Sequence, residues 1–158
     1  MRNLLAALTL FVSTPLFAAD TFPTSPDSAL TPGSLCKKAD KIRYPEQIAY
    51  CSRDVKSDRK KQVIQTYESQ LGFEIMQTGR EHFKIDHYFP LCMGGSNESD
   101  NLWPQHESVY KYTDPLEPII CQKMAEGKLK QAEAIEIIRK AKANPPEAPE
   151  YTKHLLEL

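Results

Sequence analysis

Apolar residues recur at helical spacing in three stretches of the chain, and the first of these follows Ser57. Ser57 can cap the start of a helix with its hydroxyl, and Gly72 can end it. Between them the apolar positions fall on one helical face, as expected of a helix packed on a core. These positions are Val63, Ile64, Tyr67 and Leu71.

A second helix is predicted from Asp114 to Gly127. Asp114 suits the N-cap position, Pro115 suits the first helical turn, and Glu117 completes a capping box. The apolar face is formed by Leu116, Ile119, Ile120 and Met124.

A third helix is predicted over Lys130 to Ala143, and residues 144–146 (Asn-Pro-Pro) should stop it. Its inward positions are Ala134, Ile135, Ile137 and Ile138. The remaining tail, residues 145–158, is expected to dock loosely through Leu155, Leu156 and Leu158.

Alternation of apolar and polar residues predicts strands between the first two helices. Residues 81–87 place Phe83 and Ile85 on one face, which is typical of a half-buried strand. Residues 93–100 are a loop of Gly, Ser, Asn and Asp, and residues 101–103 form the returning strand, stopped by Pro104. A further short strand is predicted over residues 73–76.

The chain begins with one positive residue, an apolar run and small residues at Ala18 and Ala19, as a secretory signal peptide does. We therefore predict a signal peptide over residues 1–18, cut near Ala18/Ala19, and a periplasmic or secreted protein without a membrane span. Residues 19–35, rich in Pro, Ser and Thr, are expected to form a flexible arm. Residues 36–144 would form a single domain.

All four cysteines lie after the predicted signal peptide, and an even number in an exported chain indicates two disulfides. Three pairings are possible. We favour Cys36–Cys51, which closes a short local loop, and Cys92–Cys121, which ties the Gly-Gly loop to a helix. A zinc site is disfavoured because the chain has no Cys-x-x-Cys pair.

The charge is unevenly distributed. Without residues 1–18 the net charge is −2, which is unusual for a nucleic-acid binder. Residues 37–61, however, hold nine Lys/Arg and four Asp/Glu, a net charge of +5. A basic face of this kind can contact phosphates even when the total charge is near zero, although a solvated helix surface explains the same pattern.

The most informative motif is an Asp-His pair, a Gly-Gly loop and an Asn-Leu-Trp-Pro segment, in that order and within residues 83–105. The motif resembles the core of the HNH nucleases, also called the ββα-metal or His-Me finger fold. The resemblance spans roughly residues 44–141 and is tight over 85–105. It implies an α+β fold: a ββα-metal core with additional flanking helices, stapled by disulfides.

The resemblance also implies roles for single residues. Asp86 would be a metal ligand, His87 the general base, and Asn101 a brace for the loop or an orienting group for the base. His106 is the nearest candidate for a second metal ligand, with Asp114 and Glu117 as less favoured alternatives. The family's helix after the second strand looks displaced here by an insertion, Gln105 to Thr113.

The implied activity is that of a metal-dependent endonuclease, acting on DNA or also on RNA with low sequence specificity and working as a monomer. It would use one divalent cation, Mg²⁺ first, with Mn²⁺, Zn²⁺ or Ni²⁺ as alternatives, and an inhibitor protein is left open. Candidate phosphate contacts are Arg53, Arg59, Lys60, Lys61 and Lys84.

Two alternatives remain open at this level. One is an inactive HNH scaffold that binds nucleic acid or a protein partner in the envelope, since a fold does not guarantee an activity. The other is a structural exported protein, in which His87 has no catalytic role.

Overall fold

The structure is a computed structural model that describes residues 21–158. The predicted signal peptide, residues 1–18, lies outside the described residues. The fold is mixed α+β, with two small sheets among several helices. In chain order the elements are β1 (Lys41–Arg43), β2 (Ile48–Tyr50), α1 (Ser57–Leu71), α2 (Ile75–Gly79), β3 (Phe83–His87), β4 (Leu102–His106), α3 (Glu107–Thr113), α4 (Leu116–Ala125), α5 (Gln131–Ala143) and α6 (Ala148–Leu156).

Helix α1 follows the predicted span closely. Gly72 ends it in the left-handed conformation, and its amide donates to the carbonyl of Glu68. The start differs from the prediction, because Ser57 is the first helical residue and Lys56 precedes it without a side-chain cap. Val63, Ile64 and Tyr67 are buried, whereas Leu71 is exposed at the helix end.

Strands β3 and β4 form an antiparallel hairpin around the Gly-Gly loop. The strand prediction for residues 81–87 is confirmed over Phe83–His87, but β4 runs through Pro104 rather than stopping before it. Tyr88 and Asn101 pair directly through a backbone bond, and hydrogen-bonded pairs alternate in such a ladder. The Ile85–Pro104 pair is therefore a non-bonded one. The nitrogen of Pro104 points away from β3, so proline costs no ladder bond there.

The segment after β4 is helical at once. Residues 107–113, interpreted from the sequence as an insertion, form α3 and pack against β4. The chain therefore has a strand–strand–helix order here. Asp114 closes α3 and does not cap α4, which starts after Pro115 without a side-chain cap. The expected strand over residues 73–76 is also wrong, because Ile75 begins the short helix α2 and is fully buried.

The buried apolar residues form two clusters. One joins α1, α2 and the hairpin through Val63, Ile64, Tyr67, Ile75, Phe83, Ile85, Leu102, Trp103 and Val109. The other joins α4, α5 and α6 to the loop after β3 through Phe89, Met93, Leu116, Ile120, Met124, Ile138 and Leu155, among others. The second cluster holds the helices that carry part of the candidate site.

The described part of the predicted arm, residues 21–35, and the predicted tail both pack more closely than the sequence indicates. In the predicted arm, Thr31 is fully buried and its hydroxyl donates to the carbonyl of Leu102 at 3.0 Å. The ring of Phe22 stacks on His106, with the ring centroids 3.9 Å apart. In the predicted tail, α6 buries Leu155 and leaves Leu156 and Leu158 exposed. A few well-placed groups anchor each segment despite its polar composition.

Two disulfides join Cys36 to Cys51 and Cys92 to Cys121, as favoured from the sequence. The first closes the β1–β2 hairpin region, and the second ties the loop after β3 to α4. Within residues 21–158, no helix is long and apolar enough to cross a membrane.

The Gly-Gly loop depends on the missing side chain of Gly95. A Cβ at this position would lie 1.7 Å from the carbonyl oxygen of Phe89, a contact that backbone atoms cannot relieve easily. We expect Gly95→Ala to lower the free energy of unfolding by at least about 3 kcal/mol, measured by urea denaturation.

Gly72→Ala is the matched control for this substitution. Gly72 has a positive φ, of 74°, which Gly95 does not, and within residues 21–158 nothing lies within 4 Å of its added Cβ. Only the left-handed conformation should then cost about 1 kcal/mol. Equal losses for the two variants would contradict the close approach of Gly95 to Phe89.

Candidate active site

Asp86 and His87 are the last two residues of β3, and both are buried: Asp86 is 8% exposed and His87 is 4% exposed. Successive strand residues point to opposite faces, so the carboxylate and the imidazole serve different surroundings. Asp86 meets two lysine ammonium groups, and His87 meets the loop that precedes β4.

The His87 ring is held by Asn97. Its Nε2 lies 3.1 Å from Oδ1 of Asn97, while Nδ2 of Asn97 donates to the carbonyl of Ser52 at 2.7 Å. A carbonyl needs a donor, so the amide NH₂ of Asn97 faces Ser52 and its oxygen faces the ring. Nε2 must then carry the proton. This assigns Nδ1 of His87 as the atom with a free lone pair.

The surroundings of His87 favour the neutral imidazole. Burial lowers its pKa below the ordinary value of 6.5, and the positive charges of Arg53 and Lys142 act in the same direction. The hydrogen bond to Asn97 and the carboxylate of Asp86 oppose the shift without reversing it. A neutral ring with an available lone pair is the form that a general base requires.

Asn101 braces the loop and makes no hydrogen bond to the His87 ring. It accepts from the amide of Phe89 at 2.8 Å and donates to the carbonyls of Phe89 and Ser96 at 3.0 and 2.9 Å. The side chain is fully buried, so each of these groups depends on it. Of the two roles expected for Asn101, the contacts match the loop brace.

A buried lysine lies beside Asp86. Lys142 is 0% exposed, and its ammonium donates to Oδ2 of Asp86 at 2.7 Å and to the carbonyl of His87 at 2.6 Å. Oε1 of Glu117 lies 2.8 Å from the same nitrogen, but its direction does not meet hydrogen-bond geometry. We call the three oxygens, Asp86 Oδ2, Glu117 Oε1 and His87 O, the cation cage.

The charges of this group are strongly coupled. Burial would raise the pKa of Asp86, but Lys142 and Lys84 outweigh it and hold the pKa below its usual value. Burial raises the pKa of Glu117, with Lys142 opposing and Asp86 reinforcing the rise. Burial alone would lower the pKa of Lys142, yet Asp86 and Glu117 raise it, so the ammonium keeps its charge.

Lys84 forms a second, outer pair with the same carboxylate. Its Nζ lies 2.5 Å from Oδ1 of Asp114 and 3.5 Å from Oδ1 of Asp86. It also lies over the Tyr110 ring, 5.0 Å from the centroid. Asp114, one of the less favoured candidates for a metal ligand, is thus linked to Asp86 through the Lys84 ammonium.

His106 lies away from Asp86. It pairs with Phe83 at the other end of the hairpin, three residues and so about 10 Å along β3 from Asp86. Alternation also places it on the opposite face. Its ring caps α3 by accepting from the amide of Ser108 and stacks on Phe22. Of the second-ligand candidates, the structure brings Glu117 to Asp86, and not His106.

Within residues 21–158, three of the five predicted phosphate-contact side chains have hydrogen-bond or ion-pair partners, and those of Lys60 and Lys61 have none. Arg53 donates to the carbonyl of Ile85 at 3.4 Å, and Arg59 donates to the carbonyl of Asn97 and pairs with Glu98. Lys84 is paired as described. Lys60 is half-buried and Lys61 is exposed on α1.

An open groove of about 510 Å³ is lined by Asn97, the residue that holds the His87 ring, but not by His87 itself. Its lining is of mixed charge: Lys37, Lys38 and Arg59 face Asp40, Asp54, Glu98 and Asp100. The groove is therefore polar rather than strongly basic, and it joins the β1–β2 hairpin to the loop that holds His87.

The divalent cation implied by the resemblance requires hard oxygen ligands, and the cation cage supplies them. Two carboxylates and a carbonyl converge on one point, and Oε1 of Glu117 has the Lys142 ammonium, at 2.8 Å, as its one polar partner among the described residues. In chemistry these groups fit Mg²⁺ or a similar ion. As they are arranged, however, these oxygens surround the Lys142 ammonium. Residues 21–158 contain no set of three His, Cys, Asp or Glu side chains that could hold a metal as they stand.

Comparison with known proteins adds no relative. No family model, curated protein or solved structure matches the chain. The interpretation of the site therefore rests on its own geometry and on the motif in the sequence.

Sequence reasoning missed two residues of this site. Asn97 lies in the turn-rich loop, and only the folded hairpin shows that it faces His87. Lys142 left a readable signal, because it lies four residues after Ile138 on the buried face of α5. A lysine at such a position needs an opposite charge, and Asp86 and Glu117 provide it.

The bracing role of Asn101 yields a stability prediction. Asn101→Ala should leave three buried backbone groups without partners and lower the free energy of unfolding by about 2–4 kcal/mol. Asn144→Ala, which removes an exposed bond to Glu147, should cost no more than about 0.5 kcal/mol. Urea denaturation measures both, and equal small losses would contradict the bracing role.

Proposed function

We propose that the protein is an exported, metal-dependent endonuclease that hydrolyses phosphodiester bonds of DNA, with RNA as a second substrate. The observation that carries the proposal is the His87 ring, which is buried, neutral and fixed by Asn97 with Nδ1 free, directly beside a buried carboxylate. The strand–strand–helix order of β3, β4 and α3 supports an HNH-type core, in agreement with the motif.

The residues of the chain have two roles in the proposed reaction: one accepts a proton, and another orients the ring that accepts it. Nδ1 of His87 accepts a proton from a water molecule, and the resulting hydroxide forms a bond to phosphorus while the bond from phosphorus to the 3′-oxygen breaks. The leaving 3′-oxygen takes a proton from solvent. Asn97 keeps the ring in the tautomer that this step needs. The products would carry a 5′-phosphate and a 3′-hydroxyl, as the resemblance implies.

Asp86 and Glu117 are the residues that would hold the divalent cation. When bound, the cation would neutralise charge that develops on the phosphate and the leaving oxygen. We assign contacts with the substrate backbone to Lys61, which is exposed, and to the lysines of the groove, Lys37 and Lys38. Contacts of this kind carry little sequence information, so cleavage should be weakly specific.

Export is supported by the two disulfides, which persist in oxidising compartments. A periplasmic or secreted location agrees with the predicted signal peptide.

One observation favours a second candidate function. The carboxylate of Asp86 already pairs with Lys142 and Lys84, as a scaffold without a metal would require. Such a scaffold would bind nucleic acid or a protein partner in the envelope without cutting. The cleavage experiment separates the two functions.

Plasmid DNA degradation by the oxidised protein tests the proposed reaction. With Mg²⁺ or Mn²⁺ the wild type should cut DNA, and a chelator should abolish cutting. His87→Ala should lower the rate by about 10²–10⁴-fold, the range typical of removing a general base. His82→Ala is the control, because His82 lies on the surface and pairs with Glu107. Absence of cutting by the folded wild type under every metal would favour the binding scaffold.

Asn97 gives a separate prediction, because its role is to position the ring. Asn97→Ala should lower kcat about 10–100-fold, as loss of an orienting partner does, while near-UV circular dichroism stays unchanged. Unaltered kcat in a folded variant would remove Asn97 from the mechanism.

A further inference from the structure

A lysine ammonium occupies the most strongly oxygen-lined point of the site. Nζ of Lys142 has Asp86 Oδ2, Glu117 Oε1 and His87 O at 2.7, 2.8 and 2.6 Å. These oxygens come from α4 and from the end of β3, and the lysine comes from α5. Because Lys142 is fully buried, its charge cannot reach a substrate phosphate directly.

We propose that Lys142 is an internal competitor for the cation cage, so that a divalent cation can take Asp86 Oδ2 and Glu117 Oε1 only after the ammonium has left them. This inference rests on the proposed function, because it concerns the regulation of the same site. It treats Lys142 as a residue that sets metal affinity, not as a catalytic residue.

The charge balance supports the competition. Within this cluster Asp86, Asp114 and Glu117 face Lys84 and Lys142, so three carboxylates meet two ammonium groups. A divalent cation added beside Lys142 would place two positive centres on the same oxygens, which is strongly unfavourable in a buried position. Departure of the ammonium removes that repulsion and leaves two carboxylates for one divalent charge.

The cost of displacement appears as a lower apparent affinity. If the cage is free in fewer than about one molecule in ten, the apparent affinity for a metal falls at least about tenfold. Removing the ammonium should recover that factor.

Calorimetric titration of the oxidised protein with Ca²⁺ and with Mg²⁺ tests the proposal without reference to activity. Lys142→Met approximately keeps the length of the side chain and removes its charge. This variant should bind Ca²⁺ at least about tenfold more tightly than the wild type. A gain in the same direction is expected for Mg²⁺, because the competition is one of charge. Adding Glu117→Gln to Lys142→Met should reverse most of the gain.

Two further single variants decide where the competing charge lies. Lys140→Met is the matched control, because Lys140 is on the same helix but is exposed and pairs with Glu136 at 3.4 Å. It should leave Ca²⁺ affinity unchanged. Lys84→Met removes the outer ammonium, and a larger gain there than in Lys142→Met would overturn the proposal in favour of a site between Asp86 and Asp114.

Lys142→Met leaves two buried carboxylates without their partner, so folding must be checked. Should it fail to fold, the wild type carries the test through the ¹⁵N resonance of the Lys142 ammonium. The proposal predicts that saturating Ca²⁺ shifts this resonance, and an unchanged resonance with Ca²⁺ bound overturns it. A proposed nuclease that does not cut DNA would fail separately, because these readouts report binding alone.

Discussion

The buried ammonium of Lys142 is the interaction on which the arrangement of the site depends. It joins the end of β3 to α4 and α5 by contacting Asp86, His87 and Glu117 together. A buried charge without partners is very costly, so the side chains around it must be in place whenever the second apolar cluster is formed. The same contact fixes Asp86 and the backbone of His87, and it thereby fixes the start of the loop that carries Asn97.

Two asparagines of the loop between β3 and β4 have different roles. Asn101 makes no hydrogen bond to the imidazole but satisfies three backbone groups of the loop, and this holds Gly95 against Phe89. Asn97, presented by that loop, fixes the tautomer of His87. The residue that braces the loop and the residue that orients the His87 ring are thus different. The proposed nuclease site is consistent with this division, because a base needs both a rigid support and a defined lone pair.

Local pattern predicted the elements whose signals are contained in a few residues. The alternation around Phe83 and Ile85, the glycine after α1 and the stripe on α5 each depend on neighbours in sequence. The pairing of Cys36 with Cys51 and of Cys92 with Cys121 followed from loop length and from the expected placement of a helix. The prediction that Pro104 stops the returning strand was wrong. A proline ends a strand only where its nitrogen faces the neighbouring strand, and the strand register decides this.

The rest required the tertiary structure. Helix α3 was not predicted, because residues 107–113 fall within a stretch that resembles an insertion in the family pattern. Thr31 and Phe22 anchor a polar segment through single contacts, and the overall composition of the segment does not reveal them. His106 is near Asp86 in the motif, but the hairpin register places it at the far end of the other face. Glu117, distant in sequence, reaches Asp86 through Lys142.

The most direct test of the central claim is single-turnover cleavage of DNA by Asp86→Asn, compared with the wild type over a wide range of Mn²⁺ concentrations, with the fold of both checked by near-UV circular dichroism. If Asp86 holds the cation beside the base His87, the variant should show no cleavage at metal concentrations that saturate the wild type. Wild-type rates in the folded variant would show that Asp86 serves the fold alone, and would contradict the assignment of this site to metal-dependent phosphodiester hydrolysis.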